Sequence, residues 1–142
     1  MSVEENLRVD REAIAAFNAR DWDRFDEFHA ESVVVHAPGN PEPIKGRAAH
    51  REEAQAYVTA FPDIQFKEER SFGQGDWVCG IYVATGTHRG PLEGPGGQTV
   101  PATDKPLRLA FCGVTRFEGG KIAEEHNYFD LLGMMAQLGL AP

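Results

Sequence analysis

The sequence predicts an α+β fold with helices packed on one face of a sheet, and three observations carry that prediction. Apolar residues recur at helical spacing through the first third of the chain. β-Branched and aromatic runs cut by glycine turns fill the second half. No self-similar period or break in composition divides the 142 residues, so one domain over 1–142 is expected.

Leu7, Ile14 and Phe17 sit near helical spacing on a polar background, which predicts an amphipathic helix from about Val3 to Ala19. Asp21 is an N-cap for a short second helix carrying Trp22, Phe25 and Phe28. Val33, Val34 and Val35 read as a strand, followed by His36 and a turn cluster from Pro38 to Pro43. Gly46 to Ala60 is rich in Ala, Glu, Gln and Arg and predicts a third helix. It stops at Phe61-Pro62-Asp63, because proline disfavours helical backbone in the residue before it. Ile64 to Phe72 and Trp77 to His88 read as strands joined at Gly73-Gln74-Gly75-Asp76. Gly86 to Pro106, with five glycines and four prolines, predicts a long loop of the kind that serves as a lid. Leu107 to Phe117 and Ile122 to Phe129 form a hairpin about Glu118-Gly119-Gly120-Lys121, and a short helix, Leu131 to Leu138, follows.

Composition narrows the function classes. A net charge of −8, without a basic block, argues against a nucleic-acid partner, whose phosphates need a basic face. No apolar run approaches the roughly 20 residues of a membrane span, and the charged first residues hold no signal-peptide stretch. The expectation is a cytoplasmic protein with no membrane partner. Cys79 and Cys112 lie in apolar strands without metal-motif spacing and read as buried free thiols.

The last hairpin assigns side chains to faces. With Gly119 and Gly120 as the loop residues, Glu118 pairs with Lys121 and Phe117 with Ile122. Counting outward without interruption sets Phe111 opposite Tyr128, Gly113 opposite His126 and Leu109 opposite Asp130. Alternation then gathers Leu109, Phe111, Phe117, Ile122, His126, Tyr128 and Asp130 on one face. A carboxylate among such neighbours resists ionisation, which suits proton transfer. A one-residue slip would turn His126 outward. Asp130 also directly precedes the last helix and could serve simply as its N-cap.

The ordered set Val35-His36-Ala37-Pro38, Gly46-Arg47, Ala60-Phe61-Pro62-Asp63, Gly75-Asp76 with Val78, Gly86-Thr87-His88-Arg89-Gly90, Gly119-Gly120-Lys121-Ile122, and Asp130 followed by Gln137-Leu138-Gly139 resembles the SnoaL-like polyketide cyclases. These are a branch of the nuclear transport factor 2-like superfamily that includes ketosteroid isomerase. The resemblance implies a cone of curved mixed or antiparallel sheet, with three N-terminal helices enclosing a hydrophobic pocket, commonly in a homodimer or higher homo-oligomer. It implies cofactor-independent intramolecular aldol cyclisation of a hydrophobic polyketide ester or similar carbonyl compound, with Asp130 as general acid and base. His36 and His88 fall on family pocket positions. The sequence departs from the family at Ile81, where many relatives carry arginine, near His126, where many carry tryptophan, and in the Gly94-Pro95-Gly96-Gly97 loop.

The candidate catalytic set is therefore Asp130, His126, His88 and His36. The candidate substrate-binding set is Phe28, Tyr57, Phe61, Tyr82, Phe111, Tyr128 and Met134. His36, His88, His126 and Asp130 are also metal-ligand types, but none has metal-motif spacing, so no metal is expected. His29 and His50 lie on polar helical segments and are expected at the surface. A non-catalytic binder of a hydrophobic small molecule, or a hydrolase, dehydratase or isomerase on the same scaffold, is the alternative.

Overall fold

A computed structural model describes residues 2–94 and 97–140. The elements run α1 (Val3–Ala19), α2 (Trp22–Glu27), β1 (His29–His36), β2 (Ile44–Lys45), α3 (Arg47–Ala60), β3 (Gln65–Gln74), β4 (Trp77–Thr87), β5 (Leu92–Glu93), β6 (Thr99–Val100), β7 (Pro106–Glu118), β8 (Lys121–Phe129) and α4 (Leu131–Gln137). Six strands form one mixed sheet in the order β2-β1-β8-β7-β4-β3. All neighbours are antiparallel except β1 and β8, which run parallel. This is the α+β architecture expected from the sequence.

The helices form where capping and periodicity require. Ser2 and Asp21 accept from Glu5 and Arg24 amides at the starts of α1 and α2. Arg20 ends α1 in the left-handed conformation and donates through its guanidinium to the Pro62 and Ile64 carbonyls, fixing the helix end against the entry to β3. The helices bury one face on the sheet. Phe17, Phe25, Ala54, Phe61, Ile64, Leu107, Leu109 and Met134 belong to one apolar cluster. Val9, Ala13, Val33, Val35, Val78, Phe117 and Ile122 form a second beside it. The 86–106 segment is more ordered than a plain loop, since β5 and β6 pair as a short ladder. Pro95 and Gly96 of the glycine loop lie outside the described residues.

The β7–β8 hairpin corrects the register read from sequence. Its turn is as expected, with Gly119 and Gly120 both at positive φ and with Glu118 opposite Lys121 and Phe117 opposite Ile122. The next pair, however, is Arg116 with Glu124, so Ala123 is an extra residue on β8. Beyond it Thr115 faces Glu125, Gly113 faces Asn127 and Phe111 faces Phe129. Because side chains alternate, one bulged residue exchanges the two faces of β8. Glu125, Asn127 and Phe129 join Leu109 and Phe111 on the inner face, while His126 and Tyr128 lie on the outer face.

Because Ala123 is the extra residue, deleting it is expected to leave Glu124 opposite Arg116 and Glu125 opposite Thr115, with Glu125 still inward. Removing the carboxylate itself, in Glu125→Ala, breaks a buried charge pair and should cost about 3–5 kcal/mol. Urea unfolding of both variants checks this; a deletion as damaging as Glu125→Ala would contradict the bulge.

Candidate active site

A cavity of about 130 Å³ lies between α1, α2 and α3 and the inner face of the sheet. Phe17, Phe61, Phe111, Phe129 and Met134 supply much of its apolar wall. His50, Glu53, Tyr57, Glu125 and Asn127 are the polar and charged side chains that reach it. A wider groove of about 840 Å³, bordered by Pro38, Ile44, Leu92, Leu131 and Met135, shares Glu53, Tyr57 and Met134 with it. The cavity therefore lies inward of the groove, across Glu53, Tyr57 and Met134.

At the cavity's edge sits a buried ion network. Glu125 comes from β8, His50 from the first turns of α3 and His29 from the start of β1. His50 Nε2 lies 2.9 Å from Glu125 Oε2, and its Nδ1 lies 3.4 Å from a Glu53 oxygen. His29 Nδ1 donates to the Phe25 carbonyl at 2.7 Å, which leaves Nε2 facing Glu125 Oε1 at 3.7 Å. Burial opposes the charge on His50, but the Glu125 carboxylate, helped by Glu53, outweighs it and pushes the imidazole up to about 10. Burial likewise opposes ionisation of Glu125. The charge on His50, in contact with it, and the nearby His29 ring hold it well below the usual carboxylate range. The result is an imidazolium and a carboxylate in contact at the edge of an apolar cavity. Burial pushes the Tyr57 phenol up to about 12, so it stays a neutral donor.

A second buried acid stands apart from the cavity. Asp10 on α1 accepts from the Tyr82 hydroxyl at 2.8 Å. Burial raises its pKa to about 6 even though this hydrogen bond favours the ionised form. The Tyr82 ring lies across Gly80, where a Cβ would meet its hydroxyl and ring atoms. Neither Asp10 nor Tyr82 borders the cavity.

The structure separates the sequence candidates. Tyr57, Phe61, Phe111 and Met134 line the cavity. Phe28 is packed beside both apolar clusters without bordering it. Asp130 is exposed and caps α4, accepting from the Gly133 amide at 2.8 Å, and it borders neither cavity nor groove. Tyr128 is 57% exposed on the outer face. His126 also lies there, stacked on His36 with ring centroids 4.4 Å apart. His88 is fully buried behind Phe61; its Nδ1 accepts from the Thr103 amide at 3.3 Å, which ties the 86–106 segment down. Cys79 and Cys112 are free, half-buried thiols with Sγ atoms 3.6 Å apart.

His29 and His50, expected at the surface, are 1% and 6% exposed. A signal for His50 was present, since Ala54, Tyr57 and Phe61 follow it at helical spacing and mark it as inward-facing. Glu125 had no such signal, because only the bulge turns it inward.

His29, His50 and Glu125 are also metal-ligand types, with ligand atoms within 4.8 Å of one another. The proton on His50 competes with any cation there. With its pKa at about 10, removing it at pH 7 costs about 4 kcal/mol. The trio fits a proton-charged pair better than a coordination shell.

The pair makes stability depend on pH with a defined sign. His50, raised in the folded state, contributes fully below its unfolded value of 6.5 and loses that contribution as pH climbs toward about 10. Glu125, depressed, contributes above its unfolded value of 4.5 and loses it in acid. Unfolding free energy is expected to fall from pH 6.5 to 10 by up to about 1.4 kcal/mol per unit, one proton's worth. In His50→Gln that slope should vanish; parallel profiles for the two proteins in urea melts would contradict the pairing.

The chain resembles proteins already described. A model of the SnoaL-like polyketide cyclase family matches residues 7–138. No curated protein sequence matches the chain. IdmH, a proposed polyketide cyclase from Streptomyces antibioticus, is 28% identical with a TM-score of 0.80, over 94% of this chain and 98% of that one. A proposed SnoaL-like polyketide cyclase from Jannaschia sp. CCS1 is 19% identical with a TM-score of 0.87, over 98% and 94%. AclR, a proposed hydroxylase from Streptomyces galilaeus, is 23% identical with a TM-score of 0.83, over 99% and 89%. The family match spans nearly the whole length and the fold is shared throughout, so the chain belongs to the SnoaL-like polyketide cyclase family.

Proposed function

We propose that the protein is a cofactor-independent acid–base enzyme that moves a proton on carbon beside a carbonyl group of a hydrophobic compound, as ring closure of a polyketide requires. The observation that supports this reading is the contact between His50 and Glu125 at the edge of an otherwise apolar cavity. The substrate enters through the groove and places one carbonyl against the imidazolium. His50 donates to that oxygen, with Tyr57 and Asn127 as further donors on the same wall. Once the imidazolium serves the substrate, Glu125 loses part of the partner that keeps it weakly basic, and it takes the proton from the adjacent carbon. The enolate carbon attacks a second carbonyl held nearby, and the new alkoxide recovers the proton from Glu125. Confinement in the cavity supplies the proximity.

This reading moves the acid–base role from Asp130 to Glu125, since a side chain that caps α4 in solvent has no route to a substrate in the cavity. The test is deuterium uptake from D2O beside the carbonyl of hydrophobic β-keto esters, followed by proton NMR. Wild type is expected to catalyse uptake. Glu125→Gln should lose about 10²–10⁴-fold, the usual worth of a positioned base. His50→Gln should lose about 10²–10³-fold as an oxyanion donor is removed. Asp130→Asn should retain activity and stability, because Asn caps a helix about as well as Asp. Folded Glu125→Gln with undiminished uptake would remove Glu125 from the mechanism. Ligand binding by wild type without any uptake would identify a non-catalytic binder instead.

A further inference from the structure

We propose that the outer face of the sheet carries a binding site for one divalent transition-metal ion, of the Zn²⁺, Ni²⁺ or Cu²⁺ class, held by His36, Glu124 and His126. The site follows from strand pairing. β1 and β8 run parallel with His36 beside His126, and their imidazoles stack with planes 4° apart. Glu124 is two residues before His126, so the strand repeat places it on the same face. The bulge at Ala123 turns this alternate set outward. Ligand atoms of the three residues all lie within 4.8 Å of one another.

The surroundings suit an ion as well. Arg116 Nε donates to Glu124 Oε1 at 3.2 Å, which orients the carboxylate and leaves Oε2 directed at His126 Nε2. A cation would replace the hydrogen bond between those two atoms, and small rotations of the stacked rings would bring the His36 nitrogen into its shell. Two imidazoles and one carboxylate match borderline cations rather than Ca²⁺ or Mg²⁺, which prefer oxygen. His126 and Glu124 are each about a quarter exposed, so water completes the shell. In contrast to the inner trio, these side chains are open to solvent. Sequence spacing concealed the site because its histidines are 90 residues apart and meet only through the sheet.

Trp77 provides the readout, since its ring centroid lies 6.1 Å from that of His126. Tag-free, full-length protein is titrated with Zn²⁺ by calorimetry and with Cu²⁺ or Ni²⁺ by tryptophan fluorescence. One ion per chain and quenching of Trp77 are expected, with no response to Ca²⁺. His36→Ala, Glu124→Ala and His126→Ala should each weaken binding by at least the roughly 10–100-fold seen when even outer-shell partners are removed. Trp77→Phe should abolish most quenching while leaving the calorimetric affinity unchanged. Circular dichroism confirms that each variant is folded. Three other outcomes would overturn the proposal: no binding by wild type, binding that survives all three ligand substitutions, or binding lost only in His50→Gln or in Cys79→Ser with Cys112→Ser.

Discussion

One extra residue in an edge of the β7–β8 ladder decides what this molecule presents to its interior. A strand has a period of two, so Ala123 sends every later side chain of β8 to the face it would otherwise avoid. Glu125 and Asn127 point toward the helices, and Glu124 and His126 point away. Without the bulge Glu124, a histidine and a tyrosine would share the interior with Phe111, and Glu125 would face outward. The inner ion pair and the outer histidine stack thus depend on the same backbone irregularity.

A carboxylate brought inside this way is costly unless it is compensated. The chain compensates it from two directions. α3 delivers His50 to 2.9 Å, and the junction of α2 with β1 delivers His29, whose ring is fixed by the Phe25 carbonyl. Glu53, one helical turn after His50, adds a second negative charge, so the imidazolium is the favoured form. The cluster pairs opposite charges, leaves His50 Nδ1 and Glu125 Oε2 buried without a well-formed hydrogen bond, and borders a cavity walled by Phe61, Phe111 and Met134. Charge in contact with apolar space can act on a guest molecule with little competition from water.

Much of the fold was legible because it is encoded locally. Helical spacing and the Asp21 cap placed α1 and α2, and the 62 proline bounded α3. Gly119 and Gly120, both at positive φ, fixed the last turn. Tyr57, Phe61, Phe111 and Met134, named from the sequence as substrate-binding candidates, line the cavity. The acid–base geometry was not legible, since a bulge leaves no mark in the residues flanking Ala123. The double reading of Asp130 had its cap half realised in the Gly133 hydrogen bond. His88 shows the same limit, because its buried contact with Thr103 arises from a fold-back of the 86–106 segment that no spacing discloses.

The register of β8 can be read directly from cross-strand nuclear Overhauser effects between α-protons in the isotope-labelled protein. The bulged register requires close contacts between Gly113 and Asn127 and between Phe111 and Phe129, with the pairing shifting at Ala123. Contacts of Gly113 with His126 and of Phe111 with Tyr128 would instead mean an unbroken ladder. Glu125 would then lie outside, and both the inner pair and the outer trio would dissolve together.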